Sequence, residues 1–345
     1  MNIGGANMYE LHHLRGNTYY VDGPTNCGVY VLNEKKEALL FDCGTEEDAP
    51  HIYKALDKAG IKITYLVFSH CHADHAGGWE YIYSKTHCKM IASKIERGFF
   101  RDPKLDIGFL YGGYPLDEYD GKLMHIDMND EIYSLDEIPS GVEWFHLPGH
   151  HWSMIGIKTS DDVYFVADTL GSIDLVERAH ILLIYDVKGY LDSLNFVEGL
   201  EEKMVVPSHS EATTNIKPVV EFNRNTIYDI INILLDYLHE EHNCTECASY
   251  IFDYFKLKIT YNKYMLILST VRSYLSYLSN SKRIKNYFKD NLDEYISYIV
   301  PENINNFRNK PAHGEYIVEE EATKALEILD SFINKALYQI NRSQN

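Results

Sequence analysis

Four short apolar runs each lead into a side chain that can bind a metal. Tyr65–Phe68 runs into Ser69-His70-Cys71-His72-Ala73-Asp74-His75. Val142–Phe145 leads through Leu147-Pro148-Gly149 to His150, Val163–Ala167 ends at Asp168, and Met204–Val206 is followed by Pro207-Ser208-His209. In extended chain, residues two apart point the same way, so His70 and His72 can share one ion. Asp74 and His75 follow at a turn into a helix, where they can aim at a second ion. Gly77-Gly78 lets the backbone bend there. Imidazole nitrogens with a few carboxylates suit zinc, and also iron or manganese. One histidine among the 16 of this chain would ordinarily be a surface or core residue. Four strand ends offering donors are a site, because loops at strand ends carry polar groups on a rigid base.

The elements around these motifs read as alternating strands and helices over residues 1–224. Asn26–Leu32 and Ala38–Phe41 pair as strands about a polar turn. Asp48–Ala59, Gly78–Ser84 and Ser93–Arg101 have helical spacing, and Lys89–Ala92 and Met154–Lys158 read as strands. Residues 102–125, rich in Gly, Pro, Asp and Tyr, read as a long irregular segment. Phe109, Tyr111 and Tyr114 within it are candidates for the substrate entrance, or for packing against the helical C-terminal part. Near residue 220 the texture turns to Tyr, Ile, Leu and Asn with helical periodicity. Thr226–His239, Thr270–Leu278 and Glu319–Ile340 each carry an apolar stripe. The division predicted is a catalytic domain over 1–224 and a helical domain over 225–345.

The whole pattern resembles the metallo-β-lactamase superfamily, over about residues 8–225. The resemblance implies an α/β fold, an αββα sandwich of two facing sheets with helices outside, followed by a mostly helical C-terminal domain. It implies that His70, His72 and His150 bind one ion, that Asp74, His75 and His209 bind another, and that Asp168 bridges them. Leu39–Gly44 matches the family's first motif, with Cys43 where Thr is usual and Asp42 supporting the site from behind. The cofactor implied is two zinc ions per chain, with iron or manganese also compatible. Ions roughly 3.5–4 Å apart would share a bridging water and generate hydroxide near neutral pH. Asp74 would orient that nucleophile or pass a proton. His151, beside a ligand, could contact substrate or support its neighbour.

The substrate expected is a small ester, thioester or lactone. Asp168 stands where penicillin-destroying members with two zincs carry Cys, and His72 where flavodiiron members carry Glu. Residues 225–290, notably Ser269–Leu278 with Arg283-Ile284, are similar to the winged-helix-like module of the lactamase-like endoribonuclease group. A phosphodiesterase or ribonuclease is therefore the second reading, and a di-iron oxygen or nitric oxide binder the third. A helical appendage capping the site, as in glyoxalase II-like enzymes, accounts for the same residues. Arg308 and His313 fit the R-x4-H pattern of HEPN ribonucleases, or else mark a helix connection broken by Pro311 and Gly314.

Bulk properties narrow the partners. The net charge is −19, and 35 of the 51 acidic side chains lie in residues 1–224, against 19 of the 32 basic ones. Such a domain repels nucleic acid at long range. No apolar run reaches the roughly 18 residues needed to cross a bilayer. Residues 1–14 lack a basic stretch followed by an apolar one, so the cytoplasm is the expected compartment. The six cysteines are too sparse for a disulfide framework. Cys244-Thr245-Glu246-Cys247 is a lone CxxC at the start of a helix. An exposed helical stripe would allow a dimer.

Overall fold

The computed structural model describes residues 8–285, apart from 115, 117–125, 129 and 201. The chain forms two compact units, residues 1–281 and 282–345. The Arg308 and His313 motif and the expected helix over Glu319–Ile340 lie outside the described residues.

Seven strands make the first sheet, in chain order: β1 (Leu11–Arg15), β2 (Thr18–Val21), β3 (Cys27–Val31), β4 (Glu37–Phe41), β5 (Lys62–Val67), β6 (Lys89–Ile91) and β7 (Ile132–Tyr133). The pairs from β1 to β4 are antiparallel, and those from β4 to β7 are parallel. The second sheet has the order β11-β10-β9-β8, from β8 (Val142–His146), β9 (Ile155–Thr159), β10 (Val163–Phe165) and β11 (Met204–Val206). Only β9 runs against its neighbours, so β8, β10 and β11 end on the same edge.

The two-residue period of a strand builds two cores from one sheet. Leu39 and Phe41 of β4, Val67 of β5 and Ile91 of β6 face Ile155, Ile157, Phe165 and Val206 of the second sheet. Their neighbours Ala38, Leu40, Leu66 and Met90 face the other way, into helices. Those helices are α1 (Ala49–Lys58), α3 (Trp79–Thr86) and α4 (Lys94–Arg101), which contribute Ile52, Leu56, Ile82 and Phe100. A short α2 (Ala73–Ala76) precedes α3. On the outer face of the second sheet, Phe196 of α7 (Val187–Glu198) packs on Phe145 of β8 with ring centroids 4.9 Å apart. The layers are helix, sheet, sheet, helix.

Residues 104–111 correct the expectation of an irregular segment. They form helix α5 (Lys104–Tyr111), closed by Gly112 at φ +78°. A left-handed glycine after a helix is a stop signal. Here the dense Gly, Pro and Asp around a single two-turn helix masked its core. Beyond β10 come α6 (Ile173–Ala179) and α7, then α8 (Lys217–Tyr237), α9 (Cys244–Tyr254) and α10 (Tyr261–Asn280). The change of texture near residue 220 therefore marks a run of helices inside the first unit. Among the described residues after 224 there is no strand. Cys244 and Cys247 open α9, which a full capping box starts: Asn243 accepts from the Glu246 N–H, and Glu246 from the Asn243 N–H. No helix among the described residues is long and apolar enough to cross a membrane.

Candidate metal centre

The seven donor residues come from loops that follow β5, β8, β10 and β11, and these loops meet at one edge of the sandwich. Backbone hydrogen bonds pin them together. Ile155 N–H donates to Ser69 O, joining the two sheets, Asn26 N–H to Ser208 O, and Ser208 N–H to Ala167 O. His72 is the N-cap of α2, so Asp74 and His75 project from its single turn. Gly77 and Gly78 have ordinary helical or near-helical φ values, so their role is not the tight bend expected. It is close approach: a Cβ on Gly78 would lie 2.5 Å from Cβ of Ala49 in α1. Gly149 does need glycine's freedom, with φ +134° and the backbone of Tyr190 2.4 Å from where a Cβ would sit.

Two donor groups result. In the first, His72 Nδ1 lies 3.0 Å from both His70 Nε2 and His150 Nε2. In the second, Asp74, His75, Asp168 and His209 bring one ligand atom each within 4.8 Å of the others. Asp168 stands between the groups. Its Oδ1 is 3.0 Å from His75 Nε2 and 3.2 Å from His209 Nε2, and its Oδ2 is 3.5 Å from His150 Nε2. His75 Nε2 and Asp168 Oδ1 are buried, close, and yet not hydrogen bonded to each other or to any other group described. Buried polar atoms left unpaired are costly. Two that converge this way fit a cation held between them.

Three of the imidazoles have their far nitrogen fixed by an acceptor, whereas the far Nε2 of His72 is buried without a hydrogen-bond partner among the described residues. His75 Nδ1–H donates to Asp42 Oδ2 at 2.8 Å, His150 Nδ1–H to Leu183 O at 3.0 Å, and His209 Nδ1–H to Pro24 O at 2.8 Å. Each bond leaves Nε2 with its lone pair aimed inward, the arrangement metal ligands require. Asp42 also accepts from Ser69 N–H and Ser69 Oγ–H, both at 2.7 Å, and Ser69 Oγ lies 2.9 Å from His70 Nδ1. One buried carboxylate thus orients a histidine in each donor group. Its backbone is held at φ +62°, a strained value for Asp that the surrounding bonds sustain.

Charge differs between the groups. Burial and the neighbouring rings hold His70 well below the usual imidazole range and His72 down to about 3. Burial likewise lowers His150. The first group is three neutral rings with their lone pairs available. In the second, burial opposes charge, but the carboxylates outweigh it: Asp168, Asp74 and Asp42 push His75 well up, and Asp168 pushes His209 up to about 10. Burial resists ionisation of Asp168 and Asp74 too, and the imidazolium charges overcome it, holding both well below the carboxylate range. The second group thus binds protons where a divalent cation would replace them.

Helix α10 supports the centre from outside the motifs. Thr270 Oγ accepts from Ile184 N–H at 3.3 Å, and Ser273 Oγ–H donates to Tyr185 O at 3.0 Å. These bonds hold the segment whose Leu183 carbonyl orients His150. His151 is fully buried and bonds to Glu96, so it stands behind the donors rather than against substrate. Phe109 is exposed and its ring lies 5.6 Å from that of Trp152, two residues beyond His150. Tyr114 is exposed, and Tyr111 is partly buried on a helix that also packs against α10. Asp42's double role and the α10 bonds were not read from sequence. The motif match at Asp42 signals its support of the site but not its reach to both donor groups, and the helical stripe of α10 signals packing but not these bonds.

Comparisons with known proteins agree with this architecture. The model of the metallo-beta-lactamase superfamily matches residues 20–209, from β2 to the last donor histidine. A hydroxyacylglutathione hydrolase of Rhodopseudomonas palustris (strain HaA2) is 28% identical over 145 residues, 42% of this chain and 48% of that protein. The chain thus aligns with about half the length of that relative. Among solved structures, a metallo-beta-lactamase family protein from Thermus thermophilus is similar at TM-score 0.59 and 15% identity, over 78% of this chain and 95% of that one. A beta-lactamase domain protein from Burkholderia ambifaria is similar at TM-score 0.59 and 13% identity, over 83% and 92%. At such identities the likeness is one of fold. With the family model spanning more than half its length, the chain belongs to the metallo-beta-lactamase superfamily.

Proposed function

We propose that the chain is a dinuclear, zinc-dependent hydrolase of a small thioester, ester or lactone. One observation carries the reading: the Asp168 carboxylate lies between two sets of donors, with Oδ1 toward His75 and His209 and Oδ2 toward His150. His70, His72 and His150 would hold one ion, Asp74, His75 and His209 the other, and Asp168 would bridge them. When bound, two such ions polarise a substrate carbonyl and lower the pKa of water between them. The nitrogen-rich donor set with few carboxylates favours zinc, with iron or manganese as the rivals.

The chain's own residues do the rest. Asp74 is the most exposed of the carboxylates at the centre, with 30% of its side chain reaching solvent, and its Oδ2 lies 3.4 Å from His209 Nε2. That exposure supports a role for Asp74 in orienting a water or accepting its proton. Asp168 carries no thiol chemistry, which turns the reading from antibiotic hydrolysis. The hydroxyacylglutathione hydrolase similarity supports a thioester.

The test is a parallel assay of metal-loaded protein on a thioester, a lactone, a phosphodiester, a cephalosporin and RNA. Thioester or lactone turnover is expected, falling about 10²–10⁴-fold in Asp74→Ala if Asp74 handles a proton. Turnover of RNA or the phosphodiester alone would replace this reading with a nuclease. Iron with no hydrolysis would replace it with an oxygen or nitric oxide binder.

A further inference from the structure

A second set of buried donors lies beside the first three histidines and takes no part in the function proposed above. Cys71 sits between His70 and His72 in the chain, and the His151 ring is 5.3 Å from that of His72. Asp106 comes from α5 and Glu96 from α4. Glu96, Asp106 and His151 are fully buried and Cys71 is 3% exposed. His151 Nε2 lies 3.4 Å from Asp106 Oδ1 and 3.7 Å from Cys71 Sγ, and Cys71 Sγ lies 3.7 Å from Asp106 Oδ2.

Those separations have a meaning. A tetrahedral zinc ion places its nitrogen and oxygen ligands about 3.3 Å apart and its sulfur about 3.6 Å from either, given ordinary zinc–ligand bond lengths. The three observed separations are close to those values, with Asp106 meeting the imidazole through Oδ1 and the thiol through Oδ2. Asp106 turns one oxygen to the imidazole and the other to the thiol, so it can close the fourth position as a bidentate ligand. The histidine is also prepared as a ligand. Glu96 Oε1 accepts from His151 Nδ1–H at 2.7 Å, the carboxylate–histidine pairing that directs Nε2 to a metal. Glu96 itself is held by Ser153 Oγ–H at 2.9 Å and by Cys71 N–H at 3.0 Å.

We propose that Cys71, Asp106 and His151 form a third metal site, taking a borderline-soft divalent ion such as zinc, with Glu96 orienting His151. Sulfur at one corner discriminates against magnesium, calcium and manganese. Binding displaces the thiol proton and any proton on His151 Nε2 to solvent, and nothing is oxidised or reduced. The site needs no turnover to be seen, because among the described residues it alone of the three donor groups contains sulfur.

The test is spectroscopic. Zinc absorption-edge scattering on the full chain is expected to show a sulfur neighbour at about 2.3 Å. Cobalt-loaded protein is expected to show a thiolate-to-cobalt charge-transfer band in the near ultraviolet, absent from Cys71→Ser. Asp106→Asn is expected to bind one ion fewer than the wild type. Two bound ions with no sulfur neighbour and no such band would overturn the third site and leave the dinuclear pair standing. The same holds if the band persists in Cys71→Ser. A single ion with a sulfur neighbour would instead support this site and count against the pair. A chain that takes up no ion overturns both. The rival occupant, a protonated His151 paired with both carboxylates, corresponds to the first result.

Discussion

Asp42 Oδ2 accepts the Nδ1–H of His75 at 2.8 Å with both side chains fully buried, although the two residues are 33 positions apart. The same carboxylate holds Ser69, whose hydroxyl meets His70. One residue outside the donor set thus fixes a ring in each donor group. Asp42→Asn keeps the shape and removes the charge. It is expected to weaken metal binding about 10–100-fold, the usual cost of losing an outer-shell partner. Asp42→Ala leaves Ser69 N–H and His75 buried without their partner, and is expected to cost about 3–5 kcal/mol of stability. Competition with a chelator and denaturant unfolding measure the two effects.

Metal-free protein is expected to be most stable near pH 6.5, with loss on both sides. His75 and His209 are raised when folded, the latter to about 10, from an ordinary 6.5. Their contribution is complete below 6.5 and is lost as pH rises toward 10. His72 is lowered to about 3, and His70 is lowered as well. Unfolded chain binds protons there that the folded chain refuses, so their contribution is complete above 6.5 and is lost as pH falls. Metal at the pair displaces the protons from His75 and His209, so their share of the alkaline loss should vanish in the loaded protein. His151, where burial opposes charge but Glu96 and Asp106 hold the ring up to about 10, keeps its own share until its site is filled. Urea unfolding across pH, with and without metal, checks both limbs.

Gly149 and Gly98 should respond oppositely to alanine. At Gly149 the positive φ alone costs about 1–3 kcal/mol. The new Cβ would also press on Tyr190 and displace the neighbouring His150. Metal affinity should fall with stability. Gly98 lies within α4 with nothing within 4 Å of a Cβ. Gly98→Ala should stabilise by about 0.5–1 kcal/mol and leave metal content unchanged. Thermal unfolding and metal analysis of the pair decide this.

Thr270→Val removes the acceptor of the Ile184 N–H and loosens the segment that presents the Leu183 carbonyl to His150. A cost of about 1–3 kcal/mol is expected from the unpaired buried group. Because α10 reaches the centre through this segment, weaker binding at the His70, His72 and His150 group should accompany the loss. Chelator competition on this variant tests the link.

Much of this centre was legible because its chemistry and its scaffold are both local in sequence. His70–His75 lie within six residues, and β4, β5 and β8 announce themselves as apolar runs ended by polar loops. What stayed hidden depends on distant contacts. Helix α5 is a short helix among glycines, with Pro103 before it and Gly112 after, and composition outweighed its spacing. Strands β1 and β2 are half-exposed and carry His and Tyr, so no apolar alternation marks them. The Cys71, Glu96, Asp106 and His151 group spans four segments, and each residue alone carries no signal. Only the adjacent pair His150-His151 offered a hint.

The central claim is tested most directly by zinc titration of metal-free protein while thioester hydrolysis is followed. Activity should rise as the ions bind and should be absent from Asp168→Asn, whose carboxamide cannot serve both donor groups as an anion. A fully loaded wild-type protein that turns over no thioester, ester or lactone would contradict the account.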